Sequence, residues 1–195
     1  TLIQEEDVLR MSLFKVSILA FVASFVGITA KADSISWKEI FDQPRYNVFF
    51  LRHALAPGYG DPPDFSIDNC KTQRNLNTEG KDQATLIGKD LKNIGISFDK
   101  IYSSEWCRCT ETANLLSLGE VTTFPGLNSF FQDHYDREDT LGKLLNKLEG
   151  IDNTDRVLMV THQVVISAIT GINVASGVAV AYNPSDGSSV KISMR

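Results

Sequence analysis

Short apolar runs alternate with amphipathic patterns along most of the chain. Three apolar runs have the length of strands: Tyr46–Leu51, Lys100–Ser103 and Arg156–Val160. Apolar positions at helical spacing predict four helices: Thr78–Asn93, Trp106–Leu118, Glu138–Leu148 and Val164–Thr170. A closing hairpin is predicted from Val178–Tyr182, a turn over residues 183–187, and Val190–Met194. Strands that alternate with helices favour an α/β fold with a mainly parallel sheet.

Individual residues mark the ends and the buried faces of these helices. Asn77 is the predicted N-cap of the first helix, and Gly119 is the predicted C-cap of the second. The predicted buried faces are Ala84, Ile87, Leu91 and Ile94 in the first helix, and Leu141, Leu144, Leu145 and Leu148 in the third.

The segment that starts at Met11 has the pattern of a secretory signal. Lys15 precedes an apolar run over Val16–Ala30, and residues 30–32 form an A-x-A cleavage site. The run is short for a bilayer span, which needs roughly 20 residues, so an uncleaved anchor is the weaker alternative. We therefore divide the chain into residues 1–10 (an upstream extension or gene-model artefact), residues 11–32 (the signal peptide) and residues 33–195 (the folded domain). The expected location is the periplasm or the cell exterior.

Charge and cysteine content narrow the classes of partner and site. The formal net charge of -5 argues against a nucleic-acid surface. Export implies an oxidising compartment, where the three cysteines allow one intramolecular disulfide. Cys70 can pair with either Cys107 or Cys109, and the sequence does not decide between them. The C-x-C spacing and the three histidines give little support to a metal site.

Several cationic and hydroxyl side chains follow the predicted strands at the point where each strand ends. They are Arg52 and His53, Ser103 and Ser104 shortly before Arg108, and His162. In open α/β sheets, ligands bind outside the carboxyl ends of the strands. A histidine ring nitrogen can act as a nucleophile, and arginine matches phosphate oxygens two at a time. This combination predicts phosphoryl transfer through a phosphohistidine, catalysed by positioning and charge neutralisation.

Four segments also resemble a known family, in the order that the family has them. LRHALAPG resembles the R-H-G opening of the histidine phosphatase superfamily, which includes the cofactor-dependent phosphoglycerate mutases. TQRNLNTEGKDQA resembles its R-x-L-T-x-x-G-x-x-Q-A stretch, and IYSSEWCRCTETA resembles its SS-x-x-x-R-x-x-x-T-A segment. MVTHQVVISAITG resembles its second-histidine strand and helix. The chain is thereby identified as a small, exported member of this superfamily.

The resemblance implies a fold and a role for each matching residue. The fold is a three-layer α/β/α sandwich with a mainly parallel sheet, and neither metal ions nor organic cofactors take part in the mechanism. His53 is the nucleophile, while Arg52, Arg108 and His162 complete the phosphate pocket. Arg74 either lines the mouth of the site and binds substrate, or holds the loop that follows the first strand.

Two positions depart from the family pattern. Ala54 stands where the family has glycine, and because alanine is the smallest replacement we expect the pocket to survive. The carboxylic acid that protonates the leaving group directly follows the second histidine in one branch, but here that residue is Gln163. In the other branch it precedes that histidine, which makes Asp133 the first candidate and Glu138 the second. Some small members lack a clear acid, so the position can also be empty.

These observations predict an exported phosphatase that hydrolyses a phosphomonoester through a phosphohistidine on His53. The alternatives are a phosphate-binding module of the same fold without turnover, and a phosphomutase. The expected partner is a phosphorylated small molecule or an envelope phosphate ester, with no nucleic acid and with the membrane involved only during export. The acidic side chains of the loop over Gly58–Asn69 would repel a highly charged substrate unless Lys71 and Arg74 offset them.

Overall fold

The structure is a computed structural model that describes residues 35–193. The predictions for residues 1–32 lie outside the described residues. Strands are β1 (Ile35–Ser36), β2 (Val48–Arg52), β3 (Lys100–Ser103), β4 (Val121–Thr123), β5 (Val157–Thr161), β6 (Ala179–Tyr182) and β7 (Ser189–Ser193). Helices are α1 (Trp37–Phe41), α2 (Thr78–Asn93), α3 (Cys107–Leu116), α4 (Arg137–Glu149) and α5 (Gln163–Thr170). None of these helices has the length and apolar character needed to cross a bilayer.

The seven strands form one sheet in the order β1-β7-β6-β2-β5-β3-β4. β2 lies near its centre, parallel to β5 on one side and antiparallel to β6 on the other. β3 pairs in parallel with both β5 and β4, and β6 and β7 form the predicted antiparallel hairpin. The sheet is therefore mainly parallel, and the predicted fold class is confirmed.

Side chains of the central strands alternate between two hydrophobic layers, as the pleat of a strand requires. Phe49 and Leu51 of β2 pack on one face with buried residues of α1, α2 and α3. Val48 and Phe50 pack on the opposite face with buried residues of α4 and α5. Both faces of the sheet are thus covered by helices, which gives the three-layer α/β/α arrangement.

The helix predictions are confirmed in outline and wrong at several ends. α2 has the predicted bounds, and the Asn77 side chain accepts a hydrogen bond from the backbone N–H of Gly80 at 2.9 Å. Ile94 lies just past α2 and is exposed, and Leu145 of α4 is exposed as well. α3 ends earlier than predicted, because Ser117, not Gly119, takes the left-handed conformation that terminates it.

Candidate active site

The strand register brings the predicted site residues to one edge of the sheet. Arg52, the last residue of β2, pairs with Thr161, the last residue of β5. His53 and His162 therefore leave the sheet side by side, and their ring centroids lie 5.5 Å apart. Ser103 of β3 pairs with Val160 of β5, so the chain that follows β3 enters α3 beside the two histidines.

A cavity of about 360 Å³ opens at this edge. Among the predicted site residues, its lining includes Arg52, His53, Arg74, Arg108 and His162. The structure thus brings together two histidines and three arginines that are distant in sequence.

The imidazole of His53 is buried and held in one orientation. Its Nδ1 lies 2.7 Å from the carbonyl oxygen of Ala54, a group that only accepts hydrogen bonds, so Nδ1 carries the proton. Nε2 then carries the ring lone pair. Burial, with a smaller contribution from the charge of Arg108, lowers the pKa of His53 to about 3. At neutral pH this ring is therefore an uncharged base with Nε2 as its nucleophilic atom.

His162 is fixed by a chain of hydrogen bonds. Its Nδ1 lies 3.4 Å from NH2 of Arg108, which can only donate, so Nδ1 accepts and Nε2 carries the proton. Nε2 lies 2.9 Å from the hydroxyl of Ser104, and that hydroxyl lies 3.1 Å from Oδ1 of Asn128. Burial, followed by the charge of Arg108, lowers the pKa of His162 well below its ordinary value. His162 is therefore neutral as well.

The guanidinium of Arg108 is almost fully occupied by protein acceptors. NH1 donates to Oδ1 of Asp61 at 2.7 Å and to the Arg74 carbonyl at 3.2 Å. NH2 donates to Oδ2 of Asp61 at 3.2 Å and to His162. The four terminal N–H groups are thus satisfied, whereas Nε is buried and has no partner within the described residues. In this arrangement, Nε–H is the donor of Arg108 that stays available to a ligand.

The carboxylate of Asp61 is also held by several hydrogen bonds. Besides Arg108, its carboxylate accepts hydrogen bonds from the backbone N–H of Arg74 at 2.9 Å and from Nε1 of Trp106 at 3.1 Å. Burial raises the pKa of this carboxyl, but the hydrogen bonds from Arg108, Arg74 and Trp106 outweigh burial and hold the pKa below its ordinary value. Asp61 is therefore ionised at neutral pH.

Arg52 is the arginine with free hydrogen-bonding capacity. NH1 donates to the carbonyl of Val174 at 2.7 Å, and the buried Nε has no partner among the described residues. The guanidinium therefore keeps most of its fork for a ligand. Unpaired buried donors are costly unless a ligand satisfies them, so Nε of Arg52 and Nε of Arg108 together indicate an anion site in this cavity.

Arg74 lies at the cavity and also holds the loop that follows the first strand, while substrate binding by Arg74 stays a prediction. It lines the cavity, and its guanidinium donates to the carbonyls of Gly60, at 2.9 Å, and Ala56. The loop that carries Arg74 is fastened further by the Cys70–Cys107 disulfide, which joins it to the first residue of α3. The disulfide thus uses one of the two pairings left open above, and Cys109 is the free, buried thiol.

The alanine in place of glycine does not obstruct the cavity. Ala54 is fully buried in a small apolar cluster with Leu76 and Ala84, and it is absent from the lining of the cavity. Its backbone N–H donates to the hydroxyl of Thr112 at 3.0 Å. Residue 54 therefore needs no left-handed conformation here, and its methyl group fills a core position.

The structure does not place the two candidate acids in the site. Asp133 and Glu138 are exposed, and neither lines the cavity. Asp61, Ser104 and Trp106 were not predicted as site residues, yet they contact Arg108 or His162 directly, and Asn128 reaches His162 through the Ser104 hydroxyl. Part of this network was visible in the sequence, since Ser104 follows a strand and Asp61 lies in the loop after His53.

The described residues hold no group of three or more His, Cys, Asp or Glu side chains that could ligate a metal ion. The charged donors that line the cavity are the guanidinium groups of Arg52, Arg74 and Arg108, which suit an anion.

A histidine pair and arginine donors at the carboxyl ends of a three-layer sheet are features of the phosphoglycerate mutase-like class of proteins. Residues 48–136 match the model of the histidine phosphatase superfamily, branch 1. By this match, residues 48–136, which carry His53 and Arg108, belong to the histidine phosphatase superfamily.

Two curated relatives align with parts of the chain. One is the mitochondrial serine/threonine-protein phosphatase Pgam5 of Caenorhabditis briggsae, 31% identical over 44% of this chain and 28% of the relative. The other is an uncharacterized protein of Picosynechococcus sp., 30% identical over 40% of this chain and 44% of the relative. The chain therefore matches less than half the length of either relative.

Solved structures show the same fold at low sequence identity. The alpha-ribazole phosphatase of Shigella flexneri aligns with a TM-score of 0.52 at 17% identity, covering 74% of this chain and 93% of that one. A phosphoserine phosphatase of Entamoeba histolytica in complex with 3-phosphoglyceric acid gives a TM-score of 0.53 at 16% identity, with coverages of 75% and 94%. The protein histidine phosphatase SixA complexed with tungstate gives a TM-score of 0.50 at 18% identity, covering 74% of this chain and 92% of that one.

Proposed function

We propose that the protein is a phosphatase that hydrolyses a phosphomonoester through a phosphohistidine on His53, without a metal ion or organic cofactor. The observation that carries this proposal is the state of His53. It is neutral, its Nδ1 proton is held by the Ala54 carbonyl, and it lies in a cavity with two guanidinium N–H groups that have no partner among residues 35–193. A bound phosphoryl group would satisfy the Nε–H groups of Arg52 and Arg108 and face the lone pair of His53.

The proposed reaction has two steps. Nε2 of His53 attacks phosphorus, the N–P bond forms, and the P–O ester bond breaks with its electron pair on the leaving oxygen. Water then attacks phospho-His53, the N–P bond breaks, and inorganic phosphate leaves. The leaving oxygen gains one proton, and the attacking water loses one. Positioning and neutralisation of the phosphoryl oxygens by the arginines supply most of the catalysis.

A change of tautomer would let the His162 ring donate a hydrogen bond to a bound phosphoryl group. When its Nδ1 accepts from Arg108, its Nε2–H donates to the Ser104 hydroxyl. If the Ser104 hydroxyl instead donates to Nε2, the ring carries its proton on Nδ1 and the Arg108 N–H that faces Nδ1 must turn away, so that the Nδ1–H group can donate to a phosphoryl oxygen. Asn128 tolerates the loss of the Ser104 hydrogen bond, because its Oδ1 also accepts from the backbone N–H of Glu105 at 2.9 Å.

We further infer that the protein is exported and acts on a phosphate ester outside the cytoplasm. This inference is supported by the signal-like segment over residues 11–32 and by the Cys70–Cys107 disulfide, which needs an oxidising compartment to persist. Cell fractionation followed by N-terminal sequencing tests it. Protein recovered from the cytoplasm with residues 11–32 still attached would contradict export.

The function is tested by phosphate release from p-nitrophenyl phosphate in the presence of EDTA, with wild type and His53→Ala. We expect turnover by the wild type, loss of turnover in the variant, and an acid-labile, alkali-stable phosphoryl label on His53 in rapidly quenched wild type. Turnover that survives in His53→Ala would exclude the mechanism.

A phosphate-binding module without turnover is the second candidate. It is favoured by one observation: among the described residues that line the cavity, Asp61 is the only carboxylic acid, and it is ionised in its pair with Arg108. The same assay decides between the two functions, because a binding module would retain vanadate affinity and release no phosphate.

A further inference from the structure

Asp61 is an unexpected residue in a cavity built for an anion. It lines the same cavity as His53 and Arg52, and a carboxylate there repels a phosphoryl group. The proposed reaction gives it no chemical step, since its pairing with Arg108 makes it a poor proton donor. Its presence therefore calls for a separate explanation.

The negative charge of Asp61 is a permanent feature of the site. The side chains of Asp61 and Arg108 are only 4% and 3% exposed, and four donor groups converge on the carboxylate. A buried charge that loses its partner is strongly destabilised, so substrate cannot displace Asp61 from Arg108 without a large penalty. Arg108 thus remains paired while a phosphoryl group is bound.

This pairing sets the charge that a substrate meets. Three guanidinium groups and one carboxylate line the cavity, and both histidines are neutral, so its net charge is +2. A phosphomonoester carries between about -1.5 and -2 at neutral pH. One phosphoryl group therefore neutralises the site, and no positive charge is left for a second anionic group.

Apart from the arginines, the histidines and Asp61, the described residues that line the cavity are uncharged, with no lysine among them. They include the apolar or aromatic side chains of Leu55, Pro57, Tyr59, Phe131 and Val164 and the polar side chains of Ser129, Gln163 and Ser176. Tyr59 is 88% exposed, and its ring meets that of Phe131 edge-on at 5.2 Å. The part of a substrate that extends beyond the phosphate therefore meets an uncharged surface that is partly apolar and aromatic.

We propose that Asp61 is a specificity-determining residue that restricts the site to esters in which the phosphate is the only anionic group. It acts by holding Arg108 and by cancelling one of the three positive charges. This inference rests on the proposed function for the identity of the site, and it specifies the substrate class: a phosphomonoester with an uncharged, partly apolar leaving group.

Two phosphonates test the proposal without turnover. Phenylphosphonate and 4-carboxyphenylphosphonate differ by one carboxylate, and calorimetry at pH 8 gives the Kd of each. We expect the wild type to bind phenylphosphonate about fivefold more tightly, as one unpaired like charge at the rim predicts. In Asp61→Asn the site gains one positive charge, and we expect the two Kd values to become equal or to reverse in order.

Asp64→Asn is the matched control, because it removes the same charge from an exposed position of the same loop outside the cavity lining. The wild-type ratio should persist in it. A merely structural role of Asp61 would weaken both phosphonates in Asp61→Asn and leave their ratio unchanged, which would overturn the proposal. Equal binding of the two phosphonates by the wild type would also overturn it.

A second variant keeps the test decisive if Asp61→Asn does not fold. Tyr59→Lys adds a positive charge at an exposed rim position, and we expect it to favour 4-carboxyphenylphosphonate selectively. An unchanged ratio in Tyr59→Lys would count against charge as the basis of selection. The outcomes also separate the two proposals: phosphonate binding without discrimination overturns this one alone, whereas failure to bind either phosphonate overturns the phosphate site itself.

Discussion

The guanidinium of Arg52 keeps most of its donors for a ligand, whereas the guanidinium of Arg108 uses most of its donors to hold the protein together. Replacing each arginine by lysine tests this difference. In the part of the chain that the structure describes, the Arg52 guanidinium has one protein acceptor, the Val174 carbonyl. In Arg108, all four terminal N–H groups have protein acceptors within the described residues. Lysine keeps the charge but cannot reproduce a planar fork, so it removes the geometry alone.

Arg52→Lys should impair ligand binding with little effect on folding. Charge-assisted hydrogen bonds are worth about 1.5–3 kcal/mol each, so loss of one such bond from the fork should weaken vanadate binding about 10-fold to 150-fold. The lost Val174 contact should lower the free energy of unfolding by about 1 kcal/mol. Vanadate inhibition and urea unfolding of the same preparation give both numbers.

Arg108→Lys should chiefly destabilise the fold. An ammonium cannot serve both carboxylate oxygens of Asp61, the Arg74 carbonyl and His162, so a buried carboxylate loses part of its pairing. Breaking a buried pair costs about 3–5 kcal/mol, and with the charge retained we expect a loss of about 3 kcal/mol in the free energy of unfolding. Arg45→Lys, at an exposed ion pair with Asp186, is the control and should change it by less than about 0.5 kcal/mol. The reasoning would be refuted if Arg52→Lys were the more destabilised variant, or if Arg108→Lys kept its stability.

His53, Asp133 and the Cys70–Cys107 disulfide each give one further prediction. The pKa of His53 is depressed from 6.5 to about 3, so the unfolded chain binds more protons than the folded chain between these two pH values. The free energy of unfolding should therefore fall below pH 6.5, by up to about 1.4 kcal/mol per pH unit. Urea titrations at several pH values should show a shallower dependence of this free energy on pH in His53→Gln. Asp133→Asn should change kcat by less than about threefold, whereas loss of a true general acid would cost about 100-fold or more. Replacing Cys70 and Cys107 by serine should lower the free energy of unfolding by about 3–4 kcal/mol, because the crosslinked residues are 37 positions apart; an unchanged urea midpoint would contradict this.

The central part of the fold was predictable because its signals are local. Asn77 and the periodic apolar residues after it define α2 without any tertiary information. β1 and α1 were not predicted, although Ser36 and Glu39 form a capping box, a signal that is visible in the sequence. The early end of α3 was not visible, because Ser117 is an ordinary residue in a left-handed conformation that glycine usually adopts.

The site was predictable to the extent that it follows from strand ends. Arg52, His53 and His162 belong to strand ends that parallel pairing must bring together. The partnership of Asp61 with Arg108 spans 47 positions and has no local signal, so only the packed structure reveals it. The candidate acids Asp133 and Glu138 do not line the cavity for a related reason: a dense acidic stretch shows that carboxylates are present, but not that any of them faces the cavity.

Asp61 is the only carboxylic acid in the described lining and is ionised, so the lining holds no protonated carboxylic acid, and this observation and the charge of Asp61 indicate the same class of substrate. Without an acid, the leaving oxygen must depart with its charge, which is feasible for aryl oxygens because their conjugate acids have a pKa near 10, as tyrosine does. An apolar rim that carries Tyr59 and Phe131 suits an aromatic leaving group, and a site charge of +2 suits one phosphoryl dianion. We therefore expect kcat to fall steeply as the pKa of the leaving alcohol rises across a series of uncharged aryl and alkyl phosphates. A flat dependence would show that a proton reaches the leaving oxygen from a group outside this cavity.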